Sequence, residues 1–219
     1  MKKILTVLMA VIMVFSSLPV CFAEAVDETQ PSYVLYTLGL FNGTGTDDDG
    51  NPIFDLDKKL TRQEATALLV RLLGKEAEAQ KEILDIPFTD VDDWAKPYVG
   101  YAYNQGLVNG TGETSFGSKN PISATEYLTL ILRALGHDDK KGDFVWNAAW
   151  ILSDRLEMTQ GQYNDDTNAE FCRKDAALIS YMALFQKIKG EEQTLVNKLF
   201  ADEVFSAEQI EKTNVAELI

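Results

Sequence analysis

Arg62 and Arg173 hold the same place in two related segments, Leu60-Thr61-Arg62-Gln63-Glu64 and Phe171-Cys172-Arg173-Lys174-Asp175. In the first, a hydroxyl residue is followed three places on by an acid and then by an apolar run, the signature of a capping box opening a helix; the second is an eroded copy with Cys172 in the cap position. The arginine therefore falls in the first helical turn, where a cation opposes the macrodipole by about 0.3–1 kcal/mol. A residue kept against local preference points to another task. A guanidinium is a planar fork for a carboxylate, and a helix N-terminus offers N–H groups to the same anion. Such a pair suits holding an anionic group rather than breaking a bond. A surface pair of Arg62 with Asp55 or Asp57, at about 0–1 kcal/mol, accounts for Arg62 equally well on the residues alone.

The other candidate chemistry is weaker. Asp47-Asp48-Asp49-Gly50-Asn51, with Asp55 and Asp57 downstream, invites a calcium reading. Setting Gly50 at the sixth position of an EF-hand loop puts Leu56 at the last, where a bidentate acid is required. A hairpin-like Asp-Gly turn is the better reading. His137 is the single histidine, so no His-based zinc cluster exists, and its polar loop after Gly136 is a poor setting for a triad base. Cys172 occupies the slot of Thr61 and Ser123, which reads as a degraded cap rather than a reactive thiol. With 34 acids, carboxylate pairs arise by chance, and nothing singles out a glycosidase pair. We expect no catalytic residue, no metal and no cofactor. Trp94, Tyr98, Tyr101, Trp146 and Trp150 fall at helical spacing and read mostly as core, with Trp94 the best suited to line a groove and stack on a sugar.

The element that must position Arg62 is Leu60 to Gly74, and it returns in register as Ile122 to Gly136. Thr61 and Ser123 start these helices with Glu64 and Glu126. Arg71 and Arg133 suit their C-terminal ends, and Gly74 and Gly136 stop them in the left-handed region. Phe171 to Ile188 is a third, eroded copy. A larger unit repeats around them. A first helix (Ser32–Phe41, Trp94–Gln105, Phe144–Leu156) leads to a Gly-Leu exit. An Asn-Gly-Thr-Gly loop follows at Asn42–Gly45 and Asn109–Gly112; the third exit diverges, Met158-Thr159-Gln160-Gly161 standing in for Leu107-Val108-Asn109-Gly110. One buried aromatic, Phe54 or Phe116, precedes the capped helix. Asp90 or Asp92 could cap the second first-helix. Ser206-Ala207-Glu208-Gln209 opens a last helix in a short tail that packs on the repeats. Such self-similarity fixes the architecture before any single motif does.

The chain has 219 residues, 46% of them hydrophobic, which is ordinary for a globular protein with a real core. Residues 1–23 read as a secretory signal: Lys2-Lys3, an apolar run from Ile4 to Val14, and a small-residue cut after Ala23. Leu18-Pro19-Val20-Cys21 is a poor lipobox, so lipidation at Cys21 is the lesser alternative. Without residues 1–23 the chain keeps 18 basic against 34 acidic residues, a net of −16. That argues against nucleic acid and anionic lipid as partners. The apolar run is too short for a span, so no membrane span is expected in the mature chain. Cys172 is then the last thiol and no internal disulfide can form.

Three copies of helix, Gly-rich loop and Thr-Arg-x-Glu-capped helix behind a signal peptide resemble the S-layer homology domain. The second copy carries most of the likeness: Phe88-x-Asp90-Val91, Trp94-Ala95, Tyr98, Ala102, Gly106-Leu107-Val108-x-Gly110, Phe116, Pro121-Ile122 and Glu126. The first supplies Gly39-Leu40-x-x-Gly43, Phe54 and Leu60-Thr61-Arg62-Gln63-Glu64. The resemblance implies a mostly α fold of three helix-loop-helix repeats in a pseudo-threefold bundle with grooves between lobes. On that basis the chain divides into the signal (1–23), repeats at 24–74, 75–136 and a divergent 137–190, and a helical tail (191–219). It also implies an exported, non-enzymatic bacterial protein that binds anionic, pyruvylated cell-wall polysaccharide non-covalently. Arg62 and Arg173 would contact the anionic groups, with Trp94 and Asp90 beside them. The second copy departs from the pattern, with Ala124 in the arginine slot. The alternative is a structural module that keeps the fold, binds other exported proteins and has weakened polysaccharide binding. A hydrolase ranks last.

Overall fold

The computed structural model describes residues 30–213 and 215. The expectations for the signal at 1–23, the cut after Ala23 and Cys21 lie outside the described residues. The fold is mostly helical: α1 (Pro31–Thr37), α2 (Arg62–Leu72), α3 (Glu76–Lys81), α4 (Lys96–Asn104), α5 (Ala124–Ala134), α6 (Trp150–Arg155), α7 (Arg173–Leu184), α8 (Leu195–Ala201) and α9 (Ala207–Glu211). The strands β1 (Gly45–Thr46) and β2 (Pro52–Ile53) pair antiparallel, Gly45 opposite Ile53. They bring the Asp47–Asn51 run into a turn. The Asp47 carboxylate accepts from the N–H groups of Asp49 and Asn51, and Gly50 has φ +87°. This is the Asp-Gly turn expected from the sequence. Among the described residues no helix is long and apolar enough to cross a membrane.

The capped helices form as their sequences require. Thr61 with Glu64 and Ser123 with Glu126 make complete capping boxes, and Gly74 and Gly136 follow at φ +65° and +85°. At α7 one arm of the box survives. The Asp175 carboxylate accepts from the Cys172 N–H at 2.8 Å and from its thiol at 2.9 Å. Burial raises the Cys172 pKa, and the bond to Asp175 adds to this, which keeps the thiol protonated and unreactive.

The three capped helices close a ring. The first N–H groups of α2 donate to Asn120 O and Ser118 O, and those of α7 donate to Lys58 O and Leu56 O. In α5 the Thr125 N–H donates to Asn168 Oδ1. Each N-terminus therefore takes its acceptors from the connection before the next capped helix in the ring. The core behind the ring is continuous. Tyr127 is fully buried with its hydroxyl 2.7 Å from Ser180, and burial pushes its pKa up to about 12. The tail seals one end. Gln209 Nε2 donates to Thr37 O, while Phe205 and Val215 are buried. A Cβ at Gly74 would lie 2.5 Å from the Val204 methyls.

Four local expectations are corrected. The second first-helix starts at Lys96, with Pro97 in its first turn, rather than at Trp94. Neither Asp90 nor Asp92 caps it with a side chain. The third first-helix is confined to Trp150–Arg155 behind a 3-10 turn at Trp146–Ala148. The cause is α5: Thr125 and Thr129 hydroxyls donate to Trp146 O, and the Ala149 N–H donates to Thr125 Oγ1. Those groups are diverted from an α ladder. In the first repeat Phe41, not Phe54, is the fully covered aromatic; Phe54 is half-buried against it at 5.9 Å.

Candidate functional site

Arg62 leaves the first turn of α2 and reaches across to the next repeat. Its Nη1 donates to Glu126 at 2.9 Å, Nε to Phe116 O at 3.0 Å and Nη2 to Asn109 O at 3.2 Å. The guanidinium lies 5.0 Å from the centre of the Phe116 ring. Pairing with Asp55 or Asp57 is thus ruled out as the reason for Arg62; Asp57 instead pairs with Lys174. The N–H groups of the helix end are likewise taken by carbonyls, so they are not free for an anion. Three of the five guanidinium N–H donors of Arg62 are engaged among the described residues, leaving two.

Arg62 lines a groove of about 480 Å³. One wall is the loop Asn109–Thr111, and the floor is α5 through Glu126, Thr129 and Arg133. Trp146 forms the far lip, 57% exposed. Its backbone is rigid because Thr125 and Thr129 both bind its carbonyl. Arg133 donates to both Asp139 oxygens, at 2.7 and 2.8 Å, and to Leu107 O at 3.0 Å. That bidentate pair is largely buried and pulls the Asp139 carboxyl below its ordinary pKa. Two arginines thus face two carboxylates, and the groove carries no local excess of charge.

The same constellation recurs around Arg173. Its Nε donates to Phe54 O at 2.7 Å and its Nη2 to Asn42 O at 2.9 Å, matching the Phe116 and Asn109 contacts of Arg62. It stacks 4.7 Å from the Phe41 centroid and is almost wholly buried. Burial lowers its pKa, and the nearby carboxylates of Glu64 and Asp55 act in the opposite sense. Arg71, the partner of Arg133 in register, binds Glu76 and the Tyr98 hydroxyl. Trp94, 48% exposed, leans on Tyr98 at 6.3 Å. Arg173 and Trp94 therefore belong to a second set, apart from Arg62. The third slot has Ala124 and Met182 where the others have arginines.

Asp90 stands at the back of the second repeat's loop. Its carboxylate accepts from the N–H groups of Phe116, Gly117 and Ser118 at 2.7, 2.8 and 3.2 Å. Burial pushes its pKa up, but those bonds outweigh it and hold it below the usual range. It fixes the loop whose Phe116 carbonyl orients Arg62. Sequence reasoning missed Arg133 and Asp139 as groove residues and placed Trp146 behind Trp94. The register held a signal for Arg133, which repeats Arg71, and for Trp146, which repeats Trp94.

Residues 87–123 match the S-layer homology domain. The chain is an S-layer homology domain protein. The matched stretch holds Asp90, Trp94, the Asn109–Thr111 wall and Phe116, so the S-layer homology motif builds one side of the groove. The chain is 32% identical over 175 residues to the surface layer protein of Brevibacillus choshinensis, covering 75% of this chain and 15% of that one. It is 32% identical over 165 residues to the middle cell wall protein of Brevibacillus brevis, covering 69% and 15%. An endoglucanase of a Bacillus species shares 27% identity over 129 residues, 59% of this chain and 12% of that enzyme. The chain thus spans about 15% of the length of the first two relatives. S-layer homology and these surface-layer and cell-wall relatives put the protein, exported, at the bacterial cell surface.

Proposed function

We propose that this protein is a cell-wall-binding module that holds an anionic, pyruvylated secondary cell-wall polysaccharide non-covalently and catalyses no reaction. The observation that carries the reading is the Arg62–Trp146 groove, where a guanidinium with two unused N–H donors faces an exposed indole across a saccharide-sized space. A sugar ring stacks on Trp146, and its carboxylate bonds to Arg62. Arg62 is the arginine that can accept a ligand, because its Glu126 partner is partly exposed whereas the Arg133–Asp139 pair is bidentate and buried. The two arginines are equally covered, 13% and 12% exposed, but the Glu126 carboxylate is 30% exposed against 11% for Asp139, and stripping one partner from a buried pair costs roughly 3–5 kcal/mol. Arg173 and Trp94 form the second, more closed site, and Asp90 acts by positioning the loop. The middle cell wall protein of Brevibacillus brevis supports the wall as target.

One observation favours a second reading. Every carboxylate-binding arginine in these sites already has a protein partner, and one of three slots has none. A module that keeps the fold, has weaker polysaccharide affinity and binds other exported proteins fits that as well. Co-sedimentation with purified cell wall separates the two, using wild type, Arg62→Ala and Arg62→Ala with Arg173→Ala. We expect wild type in the pellet and both variants largely in the supernatant, with unchanged helical circular dichroism. Equal sedimentation of all three, or of none, would sink the polysaccharide reading.

A further inference from the structure

The chain has five arginines, and four are engaged: Arg62, Arg71 and Arg133 in ion pairs, Arg173 by two carbonyls. Arg155 is exposed at the end of α6 and has no hydrogen-bond or ion-pair partner among the described residues. In a chain of net charge −14 it is the one arginine with neither a carboxylate nor a carbonyl partner among the described residues. It lines a second cavity of about 470 Å³ with Phe144, Val145, Trp146, Ile151 and Leu152. Val145 and Ile151 are 62% and 52% exposed, unusually open for their type. Trp146 and Asp139 line this cavity and the groove alike. The two spaces therefore adjoin at one indole, whose residue is held through its carbonyl by α5.

From this adjacency we infer that the site extends past Trp146, and that Val145, Ile151 and Arg155 form a second subsite for the next sugar of the same anionic glycan chain. The inference rests on the reading of the groove as a polysaccharide site. An aliphatic shelf beside an indole suits the apolar face of a pyranose ring. A lone guanidinium at its edge suits a carboxylate on that ring, where its planar fork can bind both oxygens. The groove alone would hold a chain end. The groove with the shelf holds an internal stretch of polymer, so affinity rises with glycan length. A cation at a helix C-terminus also favours α6 through its dipole; Arg155→Lys keeps that charge while losing the fork.

The test is calorimetric titration with polysaccharide released from purified cell wall, divided into a fraction of single repeating units and a long fraction. The proteins are wild type, Arg62→Ala, Arg155→Lys and the triple variant Val145→Ser, Ile151→Ser, Arg155→Ala. All changed shelf residues are exposed, and circular dichroism checks the fold. We expect the triple variant to bind the long fraction about tenfold more weakly and the single-unit fraction as wild type does. Arg155→Lys should fall between, and Arg62→Ala should weaken both fractions. If the triple variant binds the long fraction as wild type does while Arg62→Ala loses both, the shelf is overturned and the groove stands. If Arg62→Ala also changes nothing, both are overturned.

Discussion

Arg62 has a structural task beside the ligand role proposed for it. Its fork ties α2 to the Asn109 and Phe116 carbonyls of the next repeat, which is a structural task. Net hydrogen bonds of this kind contribute about 0.5–1.5 kcal/mol each. Arg62→Ala should therefore lower stability by roughly 1–2 kcal/mol in urea denaturation, without unfolding the protein. Arg62→Lys keeps the charge but not the bidentate geometry, so it should recover little wall binding. Asp90 is the second such residue. Its folded pKa is depressed, so its stabilisation is present above the unfolded value of about 3.9 and is lost as pH falls through the folded value. Asp139, held down by Arg133, acts in the same direction. The melting temperature should drop from about pH 4 downwards, and Asp90→Asn should be less stable at pH 7 with a shallower acid limb. A melting temperature that rises on acidification would contradict this.

At the scale of elements, the capped helices are the part most legible in sequence. Thr61-Glu64, Ser123-Glu126 and the two glycines after them specify start and stop locally, and the structure forms both boxes. Thr61→Ala should cost about 1 kcal/mol. Cys172→Ser should add up to about 1 kcal/mol by completing the box of α7, read as a shift in urea midpoint at constant slope. The first-helices were less legible, because long-range bonds decide them. The hydroxyls of Thr125 and Thr129 take the Trp146 carbonyl and cut the third one short. No period in the residues around Trp146 records a partner some twenty positions upstream. The same holds for the groove. Arg62 was visible as a cation in the wrong place on its helix, whereas its acceptors, Glu126 and two loop carbonyls, come from another repeat. Arg133 looked like a dipole partner, yet its fork turns sideways to Asp139.

The described residues form a ring of three helix N-termini, two closed by backbone carbonyls and one by the Asn168 side chain, sealed by α8 and α9. Leu195, Val196, Leu199, Phe205 and Ile210 are buried in that seal. Removing residues 191–219 should therefore lower the melting temperature sharply and open the apolar surface they cover to dye binding; an unchanged melting curve would show the tail to be dispensable. The ring repeats one position three times with unequal outcome: Arg62 opens on a groove, Arg173 is almost wholly buried, and Ala124 stands where the others have arginine. The central claim is that Arg62 meets a carboxylate of the wall polysaccharide. A two-by-two cycle tests it most directly: wild type and Arg62→Ala, each titrated with native polysaccharide and with polysaccharide stripped of its pyruvyl groups. If the contact is real, removing the arginine and removing the carboxylate each weaken binding, and removing both weakens it no further. Additive losses, or no loss on stripping the carboxylate, would contradict the account.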